Sequence, residues 1–556
     1  MTYLTRRKKK GRYYLYLEKS ARINGKPRRV WQKYLGPEDK IEDLALRALL
    51  RKHTEHLKIT TLDFGISAAL WQIADKIGLA SLINRNSGKK RKQGLSVGDY
   101  ITIAAINRCS RPVSKSKLGK WFKYDWLSAQ YDIKPDVLNA QTYWNHFQYI
   151  DEKAIEKMEI AINKVVLEEF DLDMDSLFYD PTNFFTFSKG TGKDGLLQFG
   201  HSKENRNGNR LVNYTLLCAR ESGIPLMHKT YSGNVQDAKR FKSVPEEIYR
   251  RLEELNRDPK KVTLIFDKGN HSKEAFKAMD KQGFGFIASA RNSTQKDLLH
   301  IPRTDMKKIT LPITKKSVEY HKETRKIYKK NRTIYVIFDA NKNKKQVHLF
   351  NEKLDKKVST IREFFKSRLN VKKWRNLEAV KKKVESIIGR NPFKSVIEYS
   401  ISGEEANLSL KISLNKKAKE VHEETLGRSL IFTNCHDWTP ASVIWSYREQ
   451  YIVEHAFKKM KSPTSICIRP MYHYRDKSIK IHVFICVLSL LLLALLRLTL
   501  SRKNLYMSYD EILDNLRISH VLKIQTSKNG KPYWKLDNNG TETKQIIKKL
   551  NLGALL

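Results

Sequence analysis

The run VFICVLSLLLLALLRLTL, residues 483–500, narrows the folds open to this chain more than any other stretch. It is apolar without interruption for about 14 residues before Arg497, short of the roughly 20 that a bilayer-spanning helix needs. A helix apolar on every side must be buried, so the chain has to build a sizeable core around this segment. The rest of the sequence is strongly charged: 106 Lys+Arg against 59 Asp+Glu give a formal net charge of +47. A surface so positive repels itself unless a polyanion neutralises it in use, and nucleic acid is the leading partner. The basic residues are spread throughout rather than gathered on one amphipathic face, which is a poor match to a membrane-surface binder.

Five cysteines, Cys109, Cys218, Cys435, Cys467 and Cys486, form no C-x-x-C pair and no zinc-like cluster with histidines. A reduced, cytoplasmic setting follows. The opening MTYLTRRKKKGRYY is basic with no apolar segment behind it and does not read as a secretory signal.

At 556 residues the chain exceeds one compact core and divides by composition. Residues 1–60 carry RYYLYLEKSARINGKPRRVWQKYLG, two aromatic and β-branched runs around Asn24-Gly25, which predict a basic β-hairpin. Residues 61–170 place apolar side chains at helical spacing in ISAALWQIADKIGLASLI and DYITIAAINRC. Between them the basic loops NSGKKRKQG and SRPVSKSK suit DNA phosphates, so this is read as a helical DNA-binding region.

Residues 171–294 change character. SLFYD ends in Asp180; RLVNYTLLCAR and PLMHKTYSG read as the next two strands and DAKRFKSVPEEIYRRLEEL as a helix. KVTLIFD then ends in Asp267, before a helix from Ser272 and the strand FGFIASA. Three strands, a helix, a strand ending in Asp, then a helix is the order of a ribonuclease H-like α/β core. Residues 295–426 interrupt it, mixing RTIYVIFDANKNKKQ, SVIEYSI and LSLKISL as strands around the helical KWRNLEAVKKKVESIIG, and predict a mostly β insertion. Residues 427–500 resume the core with the strand SLIFTN, the helix SYREQYIVEHAFKKMKS and the apolar helix behind it. Residues 501–556 form a small α+β tail whose SYDEILDNL opens with a capping-box pair, Ser508 and Glu511, and whose KNGKPYWKL reads as a hairpin.

The helix SYREQYIVEHAFKKMKS carries the chemistry. At 100° per residue Tyr447, Gln450, Glu454 and Lys461 fall at about 0°, 300°, 340° and 320°, one narrow stripe. On a plain solvated helix Glu454 would pair with Lys458, worth about 0.2–0.5 kcal/mol. Phosphodiester cleavage asks for more: an activated water or hydroxyl, and neutralised charge on the attacking and leaving oxygens. Two Mg²⁺ (or Mn²⁺) ions about 3.5–4 Å apart supply both, held by oxygen ligands. Asp180, Asp267 and Glu454 are the right residue types, and only folding can bring them together. Asp339 in YVIFDANK competes for the second place but sits inside the insertion and lacks the glycine that follows Asp267 in DKGN.

YREQYIVEHAFKKMK resembles the Tyr-x2-Arg-x3-Glu-x6-Lys signature of DDE transposases of prokaryotic insertion sequences. FYDPTNFFTF around Asp180, FGHSKENRNG with Ser202 and Lys203, GIPLMHKTYSGNVQD, and LIFDKGN around Asp267 are similar to that family's other blocks, in its order. The resemblance implies that Asp180, Asp267 and Glu454 are catalytic and hold two Mg²⁺ or Mn²⁺ ions, with water and then a freed 3′-hydroxyl as nucleophiles. It implies DNA contacts by Tyr447, Gln450, Lys461 and Lys203. The implied partners are double-stranded DNA, both terminal inverted repeats and target, and a second copy of the chain in a synaptic homodimer. No membrane is involved, and the implied location is the cytoplasm, at the nucleoid. Gln450 departs from the signature arginine, since an amide cannot offer the bidentate cationic grip of a guanidinium. Trp374, Trp438 and Trp445 are the candidates for an aromatic beside a flipped base. The same residues also fit a non-catalytic DNA-binding regulator, or a nuclease that cuts without joining.

Overall fold

The computed structural model describes residues 2–23, 25–40, 58–89, 94–131, 133–188, 192, 194–206, 208–469, 471–525, 531–537 and 540–556. The turn residue Asn24, the pair Asn529-Gly530 and residues 90–93 of the first basic loop lie outside them. The chain forms two compact units, one of Ile73–Pro112 with Tyr143–Leu498, the other of Met1–Gln72, Val113–Thr142 and Thr499–Leu556.

The first unit is organised by a nine-stranded sheet. Its strands are β1 (Ser176–Thr186), β2 (Arg210–Ala219), β3 (Pro225–Ser232), β4 (Thr263–Phe266), β5 (Gly285–Ser289), β6 (Lys307–Thr310), β7 (Ser317–Ile327), β8 (Lys330–Phe338) and β9 (Arg428–Thr433). The first five stand side by side as β3-β2-β1-β4-β5, with β4 parallel to both β1 and β5 and β2 antiparallel to its neighbours. This is the ribonuclease H-like arrangement expected from the sequence. The continuous apolar runs explain it, because TLIF of β4 and nearly all of β1 are buried, as strands covered on both faces require.

Helix α1 (Glu152–Glu169) precedes the strands, α2 (Val244–Glu254) lies between β3 and β4, and α3 (Lys273–Gln282) between β4 and β5. Ser272 opens α3 by accepting from Ala275 N, and Gly283 closes it at φ 80°, where a side chain would be strained. A buried polar knot ties α1 to β3 and α2. Glu159 Oε1 accepts from His228 N at 3.2 Å and pairs with the His228 ring, and its Oε2 accepts from Arg251 Nη2 at 3.2 Å. Arg251 Nη1 also donates to Leu226 O at 2.7 Å.

The insertion departs from expectation. Strands β6, β7 and β8 join the core sheet through β9, which pairs antiparallel with both β8 and β5. After Asp339 the segment turns helical, with α4 (Ala340–Lys366), helices Leu377–Ile388 and Lys416–Thr425, and one hairpin of Ile397–Ser402 with Ser409–Leu414. Residues 295–426 are therefore not mostly β. Asp339 caps α4 by accepting from Asn341 N and Lys342 N, and Phe350, Leu354, Val358, Ile361 and Phe365 then recur at helical spacing among lysines. They form a core of their own with Val380, Val384 and Ile388.

The helix expected across 446–462 is two helices, α5 (Pro440–Arg448) and α6 (Tyr451–Lys461). At the break Gln450 N bonds to Tyr447 O and Ile452 N to Glu449 O, three residues back instead of four, so the stripe drawn for one helix is interrupted. Glu449 is held at this turn by Arg220, 2.6 Å away. The apolar run lies in α7 (Asp476–Arg502), whose most apolar window is 89% buried. Ser489 Oγ donates to Ala105 O at 2.9 Å in the helix Val97–Ser110, and Phe484 stacks on His228.

In the second unit the expected hairpin closes at Ile23 and Lys26, and a further strand, Thr2–Lys9, makes it a three-stranded antiparallel sheet. The tail contributes strands His520–Gln525 and Tyr533–Leu536, which pair with each other and, through the former, with Lys58–Asp63. Ser508 and Glu511 form the capping box.

Candidate active site

Strand register brings Asp180 and Asp267 together. β1 pairs with β4 in parallel, Ser176 with Thr263, Leu177 with Leu264 and Phe178 with Ile265. Two steps further the same register sets Asp180 level with Asp267, just past the end of β4. β1 itself continues to Thr186, paired there with β2, so Asp180 lies within a strand rather than at its end. Pro181 follows on the part of β1 that has lost β4 as a neighbour, where a residue without an N–H is tolerated.

Asp267 is held firmly. Its Oδ1 accepts from Ser289 Oγ of β5 at 2.5 Å and from the Tyr447 hydroxyl of α5 at 3.2 Å, while Ser289 Oγ accepts from Lys268 N at 2.8 Å. Burial raises the Tyr447 pKa, and the charges of Asp267 and Glu454 add to it, so the phenol stays a donor. Glu454 is exposed on α6 and makes no ion pair with Lys458 among the described residues. Its charge is felt instead at Asp180. Burial pushes the Asp180 carboxyl up to about 7; Lys203 opposes the rise, and Asp237, Asp267 and Glu454 add to it. Asp237 thus joins Asp267 and Glu454 as a carboxylate whose charge acts on Asp180.

The cations lie against the same strand. Lys203 Nζ donates to Pro181 O at 2.5 Å and pairs with Asp237 Oδ2 at 2.9 Å. Lys461 Nζ donates to Thr182 Oγ1 at 2.8 Å, two residues from Asp180, and lies 3.3 Å from Glu204 Oε1. Burial lowers the Lys461 pKa, against the pull of Glu204. Gln450 is only 7% exposed, inside the turn between α5 and α6. Arg448 is turned to Asp339 Oδ2 at 3.0 Å, so the rival aspartate is engaged as a helix cap and ion-pair partner. Trp374 packs on Phe364 and Phe365 in the helical part of the insertion and Trp445 is a buried residue of α5, which gives both a packing role; Trp438 is partly buried just before α5.

Among the described residues no three His, Cys, Asp or Glu side chains are gathered closely enough to enclose a metal ion. The donor set nevertheless suits a hard divalent cation. One or two carboxylates per ion suffice when water and phosphate complete the shell, and a cation would favour the ionised form of Asp180, which burial first and the neighbouring carboxylates after it disfavour.

Asp237 and Glu204 escaped notice although they lie in the quoted blocks GIPLMHKTYSGNVQD and FGHSKENRNG, because an acidic side chain in a basic loop carries no periodic signal. Ser289 and Arg469 had no motif to mark them.

A β3-β2-β1-β4-β5 core with β4 parallel to both β1 and β5 defines a ribonuclease H-like protein. The chain belongs to the transposase DDE domain family, whose model matches residues 177–492, from β1 into α7. Among solved structures it is similar to a piggyBac transposase synaptic complex with hairpin DNA, at TM-score 0.38 and 8% identity over 81% of this chain and 79% of that one. A Mos1 transposase paired-end complex with left transposon end matches at TM-score 0.16 and 11% identity over 38% of this chain and 63% of that one. No curated protein sequence matches it.

Proposed function

We propose that this chain is a metal-dependent DNA transposase of a prokaryotic insertion sequence, which binds the terminal inverted repeats of its own element and moves it by cut-and-paste strand cleavage and strand transfer. Membership of the transposase DDE domain family supports the class. The observation that carries the catalytic reading is the level register of Asp180 with Asp267, with Glu454 acting on Asp180 through its charge.

Asp180, Asp267 and Glu454 would hold two Mg²⁺ or Mn²⁺ ions. Such ions, when bound, lower the pKa of water and neutralise charge on the attacking and leaving oxygens. The chain's own groups do the positioning. Tyr447 and Ser289 fix the Asp267 carboxylate by donating to one oxygen, leaving Oδ2 without a donor among the described residues. Lys461 and Lys203, anchored to Thr182 and Pro181, present ammonium groups beside Asp180 for phosphates of the terminal DNA. Gln450, buried in the turn, shapes the α5–α6 break rather than gripping phosphate. Two ends are joined in one event, so the working form is a homodimer on DNA, at the nucleoid in the cytoplasm.

The test uses DNA flanking the reading frame that carries the inverted repeats. Glu454→Gln abolishes Mg²⁺-dependent nicking of that DNA and leaves duplex binding intact. Nicking by Glu454→Gln at the wild-type rate would overturn the catalytic reading. Recovery of a strand-transfer product separates a transposase from a nuclease that only cuts, and metal-dependent nicking separates either from a regulator that only binds.

A further inference from the structure

Glu204 stands between the two best-placed cations of the site. Its Oε2 accepts from Arg469 Nη1 at 2.6 Å, and its Oε1 lies 3.3 Å from Lys461 Nζ. One carboxylate therefore offers one oxygen to a guanidinium and the other to an ammonium, as the two non-bridging oxygens of a phosphodiester would. The contact is incompletely satisfied: Arg469 Nε is buried without a hydrogen-bond partner. Such groups cost free energy and favour exchange for a better-matched anion. Arg469 is steadied by Phe185, with its guanidinium carbon 4.5 Å from the ring centroid, and both cations line a cleft of about 490 Å³ with Phe187 and Tyr472. The arginine missing at position 450 thus has a counterpart elsewhere in the fold.

We propose that Lys461 and Arg469 form a clamp for one DNA phosphodiester next to the scissile position, and that Glu204 is its internal plug, a carboxylate that occupies the clamp until DNA displaces it. Arg469 supplies the planar, multi-donor cation that a lysine alone cannot. The plug sets a threshold, so a weakly held phosphate does not displace it while the backbone of a fully docked duplex does. This rests on the DNA-binding reading above.

The test is the salt dependence of binding to a fluorescein-labelled duplex of arbitrary sequence, measured by anisotropy. Each phosphate contact contributes a slope of about −0.9 in log K against log salt. Glu204→Gln removes the plug but keeps both cations, so affinity rises between about fivefold and thirtyfold with the slope unchanged. Arg469→Gln weakens binding and makes the slope shallower by about 0.9, and Arg469→Lys restores the slope. The proposal fails if a folded Glu204→Gln binds no tighter than wild type, or if Arg469→Gln keeps the wild-type slope. Should Glu204→Gln lose its native melting temperature, the slope of Arg469→Gln still decides. A wild-type chain without salt-dependent duplex binding would instead overturn the DNA reading itself.

Discussion

Tyr447 donates its hydroxyl to Oδ1 of Asp267 across 3.2 Å, from a helix that ends one residue later. The break after Arg448 frees the Tyr447 backbone from the direction of α6, so the phenol reaches the end of β4 while Glu454 stays on the next helix. A hydrogen bond to a charged acceptor contributes about 1.5–3 kcal/mol, so Tyr447→Phe slows single-turnover nicking of terminal DNA about 10- to 150-fold. The melting temperature falls by only a few degrees, because Ser289 still donates to the same Asp267 oxygen and the fold loses one hydroxyl. A wild-type nicking rate in Tyr447→Phe would show that Asp267 needs no such support.

Much of this core was legible because its strands are buried on both faces and so read as short apolar runs with aspartates at or near their ends. What stayed hidden had physical reasons. The break between α5 and α6 leaves no sequence mark, since neither Glu449 nor Gln450 is a helix breaker, and the turn is favoured by the distant Arg220. The strand Thr2–Lys9 carries no strand signal because TYLTRRKK is exposed along almost its whole length and lacks a buried face. Helix α4 was masked by lysines between its apolar positions, and β-rich RTIYVIF just before it suggested a longer strand. Glu204 and Asp237 mattered only through partners far along the chain, which no local pattern encodes.

A buried carboxyl with other carboxylates near it sets the metal response. Asp180 is buried, with Asp237, Asp267 and Glu454 all disfavouring its ionised form. Asp180→Asn removes that repulsion, so without metal the variant melts higher than wild type by about 2–8 °C while losing nicking. Mg²⁺ stabilises wild type by about 2.7 kcal/mol at a hundredfold excess over its Kd, which raises its melting temperature, and leaves Asp180→Asn unmoved. Differential scanning fluorimetry with and without EDTA checks both halves. An equal Mg²⁺ shift in the variant would place the ion elsewhere.

The knot at Glu159 predicts the largest structural loss. Arg251 is 1% exposed, and its charge is matched by a carboxylate that His228 and Arg251 hold below its ordinary pKa despite burial. Glu159→Ala leaves that guanidinium only the longer approaches to Glu254 at 3.8 Å and Glu156 at 4.0 Å, which costs about 3 kcal/mol. Urea unfolding followed by tryptophan fluorescence should show the midpoint fall accordingly. Glu156→Ala, which removes a more exposed carboxylate paired chiefly with Arg250 and only at 4.0 Å from Arg251, should cost less, about 1 kcal/mol.

Asp125 gives the second unit a pH dependence of defined sign. Its carboxylate is fully buried, accepting from Ser67 Oγ at 2.6 Å and Leu127 N at 3.0 Å, and burial pushes it up to about 7 against those two hydrogen bonds. The folded chain therefore holds this proton more tightly than the unfolded chain, whose carboxyl titrates near 3.8. The resulting stabilisation is fully present below that lower value and is lost as pH rises through about 7. Asp125→Asn keeps an oxygen for Leu127 N and offers an amide to Ser67 Oγ without any charge to bury. Its advantage over wild type grows from near zero at pH 4 to on the order of 4 kcal/mol at pH 8. Melting curves of both proteins across that range, at fixed salt, test it; parallel curves would mean that Asp125 ionises in the fold at no cost.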